Sequence, residues 1–412
     1  MLRGPQGGLG GAGVSEEPEG SRPAEEAASA RAARAGGAGG RLGRLVRGRA
    51  GAGLAGAVVG ALLAAGVLVW RAGELPFLPR DVCWGSLSPE VVDGIGGGGD
   101  VRARQLPLEQ AATADSRTTQ CRIEGWKDDE RRWQVTAEVR ALDRFRGRDG
   151  REWADEFLSP RMAPLGGEVT GMVSDSRAWA ALPASCTGAG DGPPTVVTLA
   201  AGNVEGNTGS DPARTRSHRA GMARAVVALA NGVKAEKGCE GRYAPPRTDA
   251  LAPLPRTRVL DGNGPRELCG LKGARLPEGM RGSERYPYRM RAGTHASGPA
   301  HSCEVGLDFP LDGTRFTTVE DPRLARAVEP LARRSSVRFK GEHGYGALSG
   351  DLAVYAATCR TGQVVFMART ENYDPKGSTP LDLLPSYVRA ESKRIGCGEE
   401  TVRMPRLPSV TG

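Results

Sequence analysis

Gly171-Met172-Val173-Ser174-Asp175, followed by Ala178-Trp179-Ala180-Ala181 and Ser185-Cys186, returns later in the chain. The second version reads Gly346-Ala347-Leu348-Ser349-Gly350, then Ala353-Val354-Tyr355-Ala356-Ala357 and Thr358-Cys359. Each copy is followed by a pair of valines, Val196-Val197 and Val364-Val365. Short apolar runs bounded by turn formers read as strands, and self-similarity at a long interval reads as a repeated unit. Three further matches keep the same order. Pro79-Arg80-Asp81-Val82-Cys83 parallels Pro265-Arg266-Glu267-Leu268-Cys269, and a Pro-Glu pair follows each, Pro89-Glu90 and Pro277-Glu278. Each unit closes on Gly-Cys shortly after a lysine, at Gly238-Cys239 and Gly396-Cys397. The cysteines therefore fall into two sets of four: Cys83, Cys121, Cys186, Cys239, and Cys269, Cys303, Cys359, Cys397.

Composition narrows the class around this repeat. A chain of 412 residues suits two or three domains. Aromatics are 5% of it, so the cores must be built from Val, Leu and Ala. A net charge of +8 is small for the length and argues against a nucleic-acid binder, which carries a denser basic face. With four His and no C-x-x-C, zinc ribbons and thioredoxin-like chemistry are disfavoured.

Residues 1–49 are Gly, Ala, Glu, Arg and Pro with little to bury, and read as a disordered cytoplasmic tail. Residues 50–70 run without a charge, and at about 1.5 Å per residue they match a bilayer core. Trp70 sits at an interfacial position. Arg41, Arg44, Arg47 and Arg49 outnumber Arg71 and Arg80, which puts the N-terminus inside and the bulk of the chain outside. A cleavable signal peptide is the rival, but no A-x-A site follows the run. Ala52, Gly56, Gly60 and Ala64 form a small-residue stripe able to pair two helices, so a homodimer through Gly56 and Gly60 is an expected option. The flanking arginines suit anionic lipid.

The exported part divides into domain 1 (75–240), a Pro-rich linker (241–264), domain 2 (265–397) and a polar tail (398–412). Ser88 and Pro89 suit a helix start, and 94–99 a Gly-rich loop. A strand from Cys121 turns at Asp128-Asp129-Glu130 into a second strand, in which Val135, Ala137 and Val139 share one face. Further strands are expected at 178–186 and 195–200. A helix spans about Ser217 to Lys237, with Gly238 as its cap, and another runs from Ser378 or Thr379 to Ile395 with Pro385 inside it. The expected class is α+β: one transmembrane helix, then two tandem related domains. Each domain would be an antiparallel sheet with a packed C-terminal helix and two disulfides.

Outside the membrane, thiols oxidise. Four cysteines allow three pairings. The repeat favours first-to-second and third-to-fourth in each set, because the third closes a strand and the fourth follows the helix that packs back on it.

No catalytic, cofactor-binding or metal-ligating set emerges. Gly94–Gly99 matches GxGxxG only formally, without the strand and helix that a phosphate cradle needs. His218, His295, His301 and His343 lack metal-ligand spacing and read as exposed or loop residues. Ser174 and Ser349 read as turns. Asp128-Asp129-Glu130 and Glu399-Glu400 read as solvated turn or tail. Arg323, Arg326, Arg333, Arg334 and Arg338 form a basic stretch that reads as a wet face, or as a contact for an anionic lipid or wall polymer.

Cys83-Trp84-Gly85-x-Leu87-x-Pro89-Glu90, then a Cys opening a strand, a Cys-bearing strand and a late helix, resemble membrane-anchored cell-envelope proteins of high-GC actinobacteria. The likeness covers roughly 75–240 and 265–397, and the chain departs from the lipoproteins among them by lacking a lipidated Cys. It implies an envelope compartment and an α+β fold, and no activity. The expected function is a non-catalytic binding or structural role, engaging an envelope protein or wall component. An envelope-acting hydrolase and a signalling protein working through its tail are the alternatives.

Overall fold

The computed structural model describes residues 81–405, apart from 109–117, 143–147, 189, 203–210, 261–265, 278–284, 286, 308–312, 335–336, 350 and 371–378. The expected tail (1–49), the anchor (50–70) with its Gly56 and Gly60, and residues 406–412 lie outside the described residues. Residues 79–412 form one compact unit.

Two antiparallel sheets dominate this unit. The first contains β1 (Asp100–Gln105), β2 (Thr118–Lys127), β3 (Glu130–Ala141), β4 (Ala163–Pro164), β5 (Gly171–Val173), β6 (Arg177–Ala181) and β7 (Thr195–Gly202). Its spatial order is β1-β2-β3-β7-β6-β5-β4. The second contains β8 (Arg258–Leu260), β9 (Tyr288–Ala292), β10 (Ala300–Gly306), β11 (Gly313–Val319), β12 (Val337–Gly341), β13 (Gly344–Ser349), β14 (Leu352–Cys359), β15 (Gly362–Thr370) and β16 (Val402–Arg403). Its order is β16-β12-β13-β14-β15-β11-β10-β9-β8. Without the edge strands β8 and β16, the second sheet follows the first strand for strand.

The helices are few: α1 (Pro89–Gly96), α2 (Arg148–Phe157), α3 (Ala184–Thr187), α4 (Pro212–Glu236), α5 (Pro322–Val328) and α6 (Thr379–Arg394). The α+β expectation with a leading transmembrane helix is therefore corrected. The fold is mostly β, with sheets of seven and nine strands. Among the described residues no helix is long and apolar enough to cross a membrane.

The reason so many strands escaped the sequence is burial on both faces. α4 and α1 cover one face of the first sheet, where Val135, Ala137, Val139, Val197 and Leu199 meet Met222, Val226 and Leu229. α6 covers one face of the second, where Tyr355, Phe366 and Phe316 meet Leu384, Tyr387 and Val388. The remaining faces share a third core. Trp179, Ala181 and Val196 from the first sheet, and Val354, Ala356, Val365 and Met367 from the second, enclose Trp153 and Phe157 of α2 and Leu324 and Val328 of α5. Strands such as β10, buried at every position, lose the polar alternation that marks a half-exposed strand.

The repeated stretch has one physical cause. In the β5–β6 hairpin Met172 pairs with Trp179 and Gly171 with Ala180. In the β13–β14 hairpin Ala347 pairs with Val354 and Gly346 with Tyr355. A Cβ on Gly171 would lie 2.3 Å from the Trp179 carbonyl oxygen, and one on Gly346 2.5 Å from that of Val354. Both hairpins need glycine at the same place for the same close backbone approach. The helix ends repeat too. Gly238 and Gly396 have φ of 67° and 71°, and the N–H groups of Cys239 and Cys397 return to the carbonyls of Lys234 and Ser392, both at 2.8 Å.

Local expectations were shifted in three places. The 94–99 loop begins inside α1, because α4 crosses there: a Cβ on Gly221 would lie 2.0 Å from the Gly94 carbonyl oxygen. Cys186 lies in the short helix α3, beyond the end of β6. α4 starts earlier than Ser217, with Asp211 as N-cap accepting from the Ala213 N–H at 2.8 Å. The turn at 128–129 is a two-residue hairpin with both aspartates at positive φ, 53° and 57°.

The Pro-rich 241–264 segment is fastened to the first half. The side chain of Asn231 brackets the Tyr243 backbone, donating to its carbonyl at 3.0 Å and accepting from its N–H at 2.8 Å. The Tyr243 hydroxyl donates to the Ala181 carbonyl at 2.8 Å, and Arg219 donates to that of Ala252 at 2.7 Å. Beyond these anchors the segment contributes β8, paired to β9. At the other end, residues expected in a polar tail add β16 beside β12.

Candidate functional site

All eight cysteines are bonded: Cys83–Cys121, Cys186–Cys239, Cys269–Cys303 and Cys359–Cys397. Each half thus joins its first cysteine to its second and its third to its fourth. Cys83 and Cys269 both sit at positive φ, 52° and 59°. The entry loops therefore make the same left-handed turn, which brings sulfur to β2 in the first half and to β10 in the second. These bonds brace the scaffold and leave no thiol for chemistry.

Polar groups bridge the halves. Asp155 of α2 takes Arg369 of β15, and the Arg315 guanidinium donates to the Asp155 carbonyl at 2.6 Å. Arg315 also donates to Glu304 at 2.7 Å, and Arg151 to Asp351 at 2.8 Å. The Ser302 hydroxyl donates to the Leu158 carbonyl. Charges in such a setting attract strongly but cost hydration, so their main effect is to fix how the halves meet. Part of the basic stretch joins in. Arg323 reaches the Gly192 carbonyl at 3.3 Å and Arg326 that of Asp191, whereas Arg333 stays within the second half, stacked on Tyr345 and paired with Glu329.

The second half holds two further clusters. Buried His301 donates to fully buried Glu391 at 3.1 Å, and Arg394 ties Glu391 to Glu320. Burial alone would raise the Glu391 carboxyl, but His301 and Arg394 outweigh it and hold it below the usual range. Glu320 goes the other way, because burial raises it more than Arg394 lowers it. The second cluster centres on Glu400, expected in a solvated tail. It is buried and accepts from the His343 backbone at 3.0 Å, the His343 ring at 2.9 Å and the Tyr355 hydroxyl. Burial opposes these bonds, yet the net effect lowers Glu400. His343 is raised by its bond to Glu400. His301 was thus mistaken for a loop residue; β10 was hidden by its two-sided burial, and its partners lie far along the chain. Ser174 keeps its turn role, accepting from the Arg177 N–H at 2.9 Å.

Two cavities open where the halves meet, on either side of the 166–171 segment. The larger, about 490 Å³, is lined by Pro164, Gly167 and Thr170 from the first half and by Pro299, Glu320 and Ile395 from the second. Of the two second-half carboxylates on its wall, Asp321 is engaged as the N-cap of α5, accepting from the Leu324 N–H at 2.8 Å. Glu320 is held by Arg394. The smaller, about 340 Å³, carries Lys234, Arg242 and Arg323 with Tyr243, Leu182 and Pro183, and has Glu168 at its rim. Lys234 stacks over the Tyr243 ring at 4.4 Å. The cavities are assembled from segments far apart in the chain, among them 166–171, 181–183, 241–243, 297–299 and 320–323, and of this lining only Arg323 stands out in the sequence as a candidate contact, within the basic stretch.

Among the described residues no cluster of His, Cys, Asp and Glu is arranged to hold a metal ion. No protein-family profile matches this sequence, and comparison with curated proteins and with solved structures returns no match.

Proposed function

We propose that this chain is a binding or structural protein of an extracytoplasmic compartment, and that the junction between its two sheets is the binding region. The observation that carries the reading is the pair of cavities of about 490 and 340 Å³, each lined from both halves. Pockets between packed layers are where proteins most often take ligands. Four disulfides suit an oxidising setting and hold the junction's walls in place. The resemblance to cell-envelope proteins supports a wall component or envelope protein as the partner. Attachment to a membrane through 50–70 rests on sequence alone, and alkaline extraction of the native membrane tests it.

A photo-crosslinking amino acid at Thr361, on the wall of the larger cavity, tests the binding reading. The same probe at exposed Arg104 is the control. Envelope fragments captured at Thr361 and not at Arg104 support it. Equal capture at both positions, or turnover of a fragment that Glu320→Gln abolishes, overturns it in favour of a non-specific surface or a hydrolase.

A further inference from the structure

The smaller cavity is electrically unbalanced. Lys234 is only 4% exposed, yet it pairs with no carboxylate among the described residues. Its compensation is the Tyr243 ring, 4.4 Å away, and the carbonyl end of α4. Arg323 enters from the opposite half. It meets only neutral carbonyls, at 3.3 Å and 3.5 Å, and its Nη2 has no hydrogen-bond partner among the described residues. It also stands in the first turn of α5, the end of a helix that disfavours a cation. Arg242 adds a third positive charge, against one carboxylate, Glu168, at the rim. Three converging cations repel one another, and a buried cation without a counter-charge is held at a cost that an incoming anion removes.

The rest of the wall selects among anions. Ala181, Leu182, Pro183 and the Tyr243 ring are apolar, so they suit a ligand with a small non-polar body. A volume of about 340 Å³ admits a residue or two of a peptide, not the body of a polymer. The three cations attract any anion, and the apolar wall adds contact only for one that carries a non-polar body, which inorganic phosphate lacks. We propose that this cavity binds the free carboxylate of a short peptide-like ligand, held between Lys234 and Arg323 with its side chain against Tyr243 and Pro183. The inference rests on the junction being a binding region and names the chemistry of one of its two cavities.

The test is calorimetric titration of the full oxidised chain at low salt with N-acetyl-alanyl-alanine, its C-terminal amide and inorganic phosphate. Saturable binding of the acid is expected, with at least tenfold weaker binding of the amide. A similar loss is expected in Lys234→Met and in Arg323→Gln. Melting curves establish that each variant is folded; should Lys234→Met fail to fold, Arg323→Gln and Arg242→Gln carry the comparison. Equal binding of acid and amide, tighter binding of phosphate, or unchanged affinity in folded variants overturns the proposal. If the acid does not bind while envelope fragments still crosslink at Thr361, this inference alone falls. If neither occurs, the binding reading falls with it.

Discussion

The two halves of the unit follow one connectivity but close their cores with different chemistry. In the first half, the helix-facing core is Val, Leu, Ala and Met beneath the long α4 (Pro212–Glu236), with Gly221 set against Gly94 where α1 crosses. In the second, α6 (Thr379–Arg394) is shorter and carries Pro385. Its core is aromatic, with Phe316 and Tyr387 at 5.0 Å, and it buries Glu391, Glu400 and His301. The second sheet also gains β8 and β16, and Glu400 sits just before β16, where its carboxylate meets Tyr355. One topology thus admits a mainly aliphatic core beneath its helix and an aromatic one that buries a set of carboxylates. What both retain are the elements that the backbone demands: the four-cysteine frame, the hairpin glycines and the glycine-capped helix ends.

The strongest way to break this comparison is reduction. The bonds span 38, 53, 34 and 38 residues. Loops of that size each contribute about 4 kcal/mol by the chain-entropy estimate. Thermal melts in excess reductant should show both halves losing structure, and an unchanged melt would contradict a shared disulfide frame. Serine pairs at Cys186 and Cys239, or at Cys359 and Cys397, should each lower stability by a similar amount.

Next in size is the shared core. Trp179 is fully buried, contacts Trp153 at 5.7 Å and donates to the Phe157 carbonyl at 3.0 Å. Trp179→Ala should cost about 3–5 kcal/mol. Because the core is common, denaturant melts followed separately in each half should shift together. A shift confined to the first half would show that the halves fold independently.

Smaller effects test the hairpin glycines. Gly171→Ala and Gly346→Ala each drive a Cβ into a backbone oxygen and should cost about 1–3 kcal/mol. Matched losses in chemical denaturation would support a common cause; a neutral Gly346→Ala would separate the two hairpins.

The smallest effect is pH dependence, and it should arise in the second half. Glu391 and Glu400 are held below the ordinary carboxylate value of 4.5. Their contribution is present above that value and is lost as pH falls through the lowered folded pKa. His343 is raised above 6.5, so its contribution is full below that pH and fades as pH rises through the folded value. Acid should lower the stability of the whole unit through these second-half carboxylates, offset in part by Glu320, whose raised carboxyl acts the other way, and Glu400→Gln should flatten that dependence. His343→Gln should remove only the weak alkaline arm, since the ring is largely exposed.

Much of the frame was legible because it is local. The β2–β3 hairpin could be read from alternation and a two-aspartate turn, the two long helices from their spacing and caps, and the cysteine sets from their flanks. The class is less legible because β4 is two residues long, β10 and β11 are buried almost throughout, and β9 and β12, although they alternate, are five residues each and lie among turn formers, so the sheets look smaller in the sequence than they are. Glu400, expected in a solvated tail, is buried for a related reason. Glu400 follows a glycine and another glutamate, and its bonds to His343 and Tyr355, 57 and 45 residues earlier, are made only in the folded chain.

Which cysteines belong together, and where glycine closes the long helix of the first half, follow from the residues alone. Those features depend on chain connectivity and backbone sterics, which act over a few residues. That the halves press their second faces into one core is settled by the assembled fold. The fold likewise decides that Lys234 and Arg323 meet across a cavity, and that His301 and Glu391 share a buried bond. Such encounters join residues distant along the chain, and hydrophobic burial, which has no direction of its own, is satisfied by many packings until all the side chains are in place.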